Sequence, residues 1–161
     1  MRKIVFLDFD GVLNSQKYDR ARGLYDSFLD ETRLVLLKKL VNMTGAEIVL
    51  TTTWRYHWSK MDNECDSVGR SINYIFQKNG LEIADKTPEI ADIERAEEIR
   101  AWLSLHKGEY DAFVIIDDLV FNWGELQDNV VKTSFTKGYG LEEEHIEAAY
   151  RILSRTANYQ K

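Results

Sequence analysis

The sequence predicts an α/β fold, with a mainly parallel central sheet covered by helices on both faces. Two observations carry this. Short apolar runs alternate with longer stretches of helical periodicity along the chain, the pattern of strand–helix–strand units. Three of the apolar runs also end directly on a polar residue: Asp8, Thr51 and Asp117. Ligands of such folds bind outside the carboxyl ends of the strands, so three chemically useful side chains fall where a site belongs.

The elements follow in order. Lys3 to Leu7 reads as a buried strand, broken by Asp8-Phe9-Asp10-Gly11. Residues 14–28 are polar and irregular, with Tyr18, Arg20, Arg22 and Tyr25 interspersed, and suit a flap over a site. Asp30 is placed to cap a helix carrying Leu34, Leu37, Leu40 and Val41 on one side, and Gly45 to end it. Ala46 to Leu50 forms a second strand. Residues 54–79 make an excursion that faces substrate, with its clearest helix from Val68 to Gln77. Leu81 to Ala84 gives a third strand, Ile93 to Leu105 a helix, and Ala112 to Ile116 a central strand ending on Asp117-Asp118. Val130 to Thr133 and a helix from Glu142 to Leu153 complete the pattern.

At 161 residues the chain has the length of one domain. Cys65 is the single cysteine, so no internal disulfide forms, which fits a reducing compartment. The four apolar residues Ile4 to Leu7 are too few for a signal peptide, and no stretch is long enough to span a bilayer. The chain therefore reads as cytoplasmic, with no membrane partner. Twenty-one basic against 27 acidic residues give a formal charge of -6. That argues against a broad nucleic-acid-binding surface but leaves room for a local basic pocket for one phosphate. His57, His106 and His145 are too scattered for a zinc site.

The run Asp8-Phe9-Asp10-Gly11-Val12-Leu13-Asn14 resembles the motif that opens the haloacid dehalogenase (HAD) superfamily of phosphohydrolases. Thr51 after the second strand, a basic residue near a later helix, and Asp117-Asp118 after another strand extend the resemblance over most of the chain. Trp54-Arg55 after the threonines is similar to a subfamily associated with RNA-repair proteins. It is more distantly similar to the phosphatase half of polynucleotide kinase-phosphatases.

The resemblance implies a three-layer HAD-like Rossmannoid fold with a minimal cap, and a role for each marker. Asp8 is the expected nucleophile, forming an aspartyl-phosphate that splits one difficult transfer into two steps. Asp10 protonates the leaving oxygen and then activates water. Gly11 permits a sharp departure from the strand. Magnesium (Mg2+), which prefers oxygen ligands, would be held by the Asp8 side chain, the Asp10 carbonyl and Asp117, with Asp118 as a ligand or its neighbour. Thr51 donates its hydroxyl to a phosphoryl oxygen, with backbone N–H groups near Thr52 assisting. Arg95 is the first choice for the positive side chain beside Asp8, and Lys86 is its competitor.

Trp54 and Arg55 are candidate substrate contacts, through stacking and phosphate binding. The competing reading makes Trp54 and Trp58 packing residues at the sheet edge. A receiver domain also phosphorylates an aspartate, but it would place paired acids near the first strand and the phosphoacceptor after the third, an order this chain does not follow. The predicted activity is magnesium-dependent hydrolysis of a phosphomonoester, the substrate being a nucleotide or nucleic-acid end. A small-metabolite phosphatase and a non-catalytic nucleic-acid-associated module are the alternatives.

Overall fold

The computed structural model describes residues 2–155. Five strands, β1 (Arg2–Leu7), β2 (Glu47–Leu50), β3 (Ile83–Lys86), β4 (Tyr110–Asp117) and β5 (Val130–Lys132), form one sheet in the order β3-β2-β1-β4-β5. Every pairing is parallel. The strand order reverses between β1 and β4, which is the topological switch point where α/β sheets open a ligand crevice.

Register brings the strand ends level. Leu7 lies opposite both Leu50 and Ile116. The ladder runs one residue further into the loops: Asp8 N donates to Ile116 O at 3.1 Å, and Thr51 N to Leu7 O at 3.0 Å. Thr133 N donates to Asp117 O at 3.0 Å. These bonds hold the backbone beneath the site as firmly as the strands themselves.

Alternate residues of β1 enter two different cores. Val5 and Leu7 pack with Leu34, Leu37 and Leu40 of α2 (Glu31–Thr44), Ile72 and Phe76 of α3 (Ser67–Lys78), and Ile146 and Ile152 of α5 (Glu143–Leu153). Ile4 and Phe6 face the other way, against Ile99 and Trp102 of α4 (Arg95–Leu105) and against Trp123 and Leu126. Helices thus cover both faces, giving the three layers of a HAD-like Rossmannoid fold. Phe6 and Trp102 meet edge to face at 5.3 Å between centroids, a favoured aromatic geometry. Among the described residues no helix is long and apolar enough to cross a membrane.

Local signals place the ends of several elements. The Asp30 carboxylate accepts from Thr32 N at 3.0 Å and caps α2, and Gly45 ends it at φ 68°, a left-handed turn that suits glycine. Two expectations shift. Residues 14–28 contain a short helix, α1 (Gln16–Ala21), capped by Ser15. It buries none of its side chains, so no apolar period announces it. The third strand begins at Ile83 rather than Leu81, because Leu81 N still donates to Phe76 O at the end of α3.

Candidate active site

At the switch point, Asp8, Asp117 and Asp118 bring carboxylate oxygens within 4.8 Å of one another. Asp8 and Asp117 are buried, and Asp118 is half-buried. Arg95, the first residue of α4, reaches across them: its Nη1 lies 2.8 Å from Asp8 Oδ2 and 2.6 Å from Asp117 Oδ2. Asp8 Oδ1 also accepts from Phe9 N at 2.9 Å, and Asp117 Oδ1 from Leu119 N at 2.9 Å.

Charge in so small a volume perturbs proton affinity. Burial pushes the Asp8 carboxyl up to about 7; Arg95 opposes this and Asp117 adds to it. Burial, then the charge of Asp117, raises Asp118. For Arg95, burial works against the guanidinium charge, but Asp8 and Asp117 outweigh it and hold it above its ordinary value. Three acids against one arginine leave an excess of negative charge. Hard oxygen donors this close suit a divalent cation such as magnesium, which would offset that charge; on this chemistry the residues present fit the ion.

The loop after β1 is held from three sides. Gly11 adopts φ 79°, and an added Cβ would lie 2.4 Å from the Asp118 carboxyl, so glycine alone admits the close approach. Gly11 N donates to Asn14 Oδ1 at 3.0 Å, and Thr133 Oγ1 donates to Gly11 O at 2.6 Å. Asp10 is exposed, yet its carboxylate is oriented: Oδ1 accepts from Asn14 Nδ2 at 2.8 Å and Oδ2 from Trp54 Nε1 at 3.0 Å.

Thr51 and Thr52 follow β2, next to Asp8. Thr51 is fully buried, and its Oγ1 has no hydrogen-bond partner. An orphaned buried hydroxyl costs about 1–3 kcal/mol, which an incoming oxygen acceptor would offset. Thr52 caps the turn Thr53–His57, its hydroxyl accepting from Trp54 N at 3.3 Å.

Two expected site residues are turned elsewhere. Arg55 is not available to hold substrate: it is 2% exposed, ion-paired with Glu98 of α4 at 2.8 Å, and bonded to the carbonyls of Thr51, Thr52, Thr87 and Pro88. Its fork of donors ties the ends of β2 and β3 to α4. Lys86 does not take the position beside Asp8; its ammonium donates to the carbonyls of Arg55 and Trp58 and to Glu89. Arg95 makes the Asp8 contact in its place. Trp54 packs on Phe28 at 4.6 Å between centroids, as the packing reading has it, and its Nε1 also donates to Asp10. Trp58 is a packing residue, 4% exposed and bonded to Asn73.

A cleft of about 990 Å³ opens over Asp8, Asp10, Arg95 and Asp118. Its lining also takes in Lys132 at the end of β5, Ser134, Thr136 and Lys137 of the loop that follows, and Glu142, Glu144 and His145 around the start of α5. None of these was singled out by motif. The run Thr133-Ser134-Phe135-Thr136-Lys137-Gly138 directly after a strand is the signal that would have found the loop residues, since hydroxyls and lysines at a strand's carboxyl end suit an anion.

An all-parallel sheet of this order, with an Asp-x-Asp loop after β1 and paired aspartates after β4, defines a HAD-like protein of the phosphohydrolase type. The chain belongs to the family described as the HAD domain in Swiss Army Knife RNA repair proteins, whose model matches residues 4–146. No curated protein matches the sequence significantly.

Proposed function

We propose that the chain is a magnesium-dependent phosphatase acting on a phosphorylated nucleic-acid end through an aspartyl-phosphate on Asp8. The observation that carries this reading is the meeting of Asp8, Asp117, Asp118 and Arg95 at the switch point. The RNA-repair family supports a nucleic-acid substrate, as do the lysines and hydroxyls lining the open cleft.

Each residue then has a task. An Asp8 oxygen attacks phosphorus while Arg95 holds the carboxylate and offsets charge on the phosphoryl oxygens. Thr51 Oγ1 gains its missing acceptor from one of those oxygens. Asp10, aimed by Trp54 and Asn14, gives a proton to the leaving oxygen, then takes one from the water that hydrolyses the aspartyl-phosphate. Asp8, Asp117, Asp118 and the Asp10 carbonyl would hold magnesium, which supplies charge neutralisation and substrate orientation. Residues 14–28 serve as a flap that reaches the entrance through Asp19, with Tyr25 turned to a second cleft.

The test is phosphate release with and without magnesium, by the native chain and by Asp8→Asn, on phosphorylated oligonucleotides, nucleotides and sugar phosphates. Turnover should require magnesium and fall by about three orders of magnitude or more in Asp8→Asn. Equal turnover in both forms would remove Asp8 from the mechanism. Preference for sugar phosphates would move the substrate to small metabolites. Oligonucleotide binding without turnover in the native chain would support a non-catalytic module.

A further inference from the structure

A second cleft, of about 780 Å³, lies between the loop that follows α1 and the outer face of α3. The sheet side of α3 buries Ile72, Ile75 and Phe76 in the core. Its opposite side presents Arg70, Tyr74 and Lys78 at successive four-residue steps, a single stripe facing this cleft. Across from them stand Arg22 and Tyr25. The two tyrosines are the unusual feature: Tyr25 is 96% exposed and Tyr74 69%.

The cations here are only lightly engaged. Lys78 meets Glu31 at 3.2 Å, and Arg22 meets Asp19 at 3.4 Å, both as solvent-exposed pairs. Such pairs contribute little and exchange readily for a stronger anion. Arg70 donates one bond, to the Cys65 carbonyl. The cleft thus gathers three cations on a chain whose formal charge is -6, with Asp26 and Glu31 as the acids lining it and Asp19 beside Arg22.

Packed side chains link this cleft to the active site. Trp54 bonds Asp10 through Nε1, and its ring packs on Phe28, which lines the second cleft. Two packed rings therefore join the proposed acid to the wall of the second cleft. Exposed rings for stacking, interspersed with cations for phosphates, are what single-stranded nucleic acid requires of a surface.

We infer that this second cleft holds the nucleotides that precede the reacting phosphate, with their bases stacked on Tyr25 and Tyr74 and their backbone met by Arg22, Arg70 and Lys78. The inference rests on the nucleic-acid-end reading of the active site, and it assigns the strand a path: from the reacting phosphate in the active-site cleft, over Trp54 and Phe28, to the second cleft.

The experiment has two readouts. The first is kcat/KM for an aryl phosphate, a mononucleotide and a single-stranded oligoribonucleotide bearing the same terminal phosphate. It compares the native chain with Tyr25→Ala/Tyr74→Ala and with Arg70→Glu. The second is the Kd of a fluorescent phosphorylated oligoribonucleotide, measured by anisotropy on Asp8→Asn chains with and without the same changes. The native chain should favour the oligoribonucleotide. The double variant should lose about tenfold or more in kcat/KM and in Kd for it, through KM rather than kcat, with aryl phosphate turnover unchanged. Tyr25→Phe/Tyr74→Phe, which keeps the rings, should restore it. Oligoribonucleotide preference that persists in the double variant would overturn the cleft and leave the active-site reading intact. Lack of any preference, or of binding, in the native chain would overturn both.

Discussion

Arg95 and Arg55 sit close together at the carboxyl edge of the sheet, and both engage α4. Arg95 begins that helix, and Glu98, one turn on, receives Arg55. Each arginine is largely buried, and each is ion-paired at 2.8 Å or less. Their remaining partners separate them. Arg55 is saturated by Glu98 and four backbone carbonyls, all groups that stay in place. Arg95 meets two carboxylates in a crowded acidic centre, at the mouth of a cleft. The same side chain therefore serves as a rivet in one place and as charge compensation for chemistry in the other. Burial of an arginine indicates neither; its partners decide.

The sharpest way to break this comparison is Arg95→Ala. Loss of a preorganised charge beside the reacting group is expected to lower kcat by about 10²–10³. Arg95→Lys should recover part of it, because an ammonium keeps the charge but not the fork. Steady-state phosphate release checks both. Arg55→Ala should do the reverse: stability falls by about 3–5 kcal/mol because Glu98 is left buried and unpaired, a shift on the order of 10 °C in Tm. Turnover per folded molecule should stay near that of the native chain. Thermal melts run beside activity separate the two, and a folded Arg55→Ala chain as inactive as Arg95→Ala would merge them into one unit.

A smaller effect follows from pH. The folded chain holds the Asp8 proton more tightly than the unfolded chain does, since its carboxyl is raised to about 7. In metal-free protein, Asp8 therefore contributes stability that is present below about pH 4 and lost as pH rises through 7. A divalent cation needs the ionised form, so magnesium affinity should climb about tenfold per pH unit up to roughly 7 and then level off. Calorimetric titration in buffers of different ionisation enthalpy should show about one proton released per magnesium at pH 6 and almost none above pH 8. Proton release that does not vary with pH would mean Arg95 already keeps Asp8 ionised.

Much of the scaffold was legible along the chain. Apolar runs marked all five strands, and Asp30 and Gly45 marked both ends of α2, because burial period and capping act within a few residues. The two departures have the same root. Helix α1 packs nothing away, and β3 starts late because α3 keeps hold of Leu81; neither fact leaves a trace in local pattern. At the site, Asp8, Asp10, Thr51, Asp117 and Asp118 could be singled out because each stands just beyond an apolar run. The wall after β5 could have been, on the same rule.

What the amino-acid order determined by itself is which polar groups stand at which strand ends, since residue period and chain turns are local properties. The tertiary structure alone decided that Arg95 rather than Lys86 reaches Asp8, that Arg55 is closed off by Glu98, and that Tyr25 and Tyr74 come to line one cleft. Those partners are far apart in sequence. Their pairing depends on how α3 and α4 cross the sheet, and charge and ring interactions act through space over a few ångströms, whatever length of chain lies between.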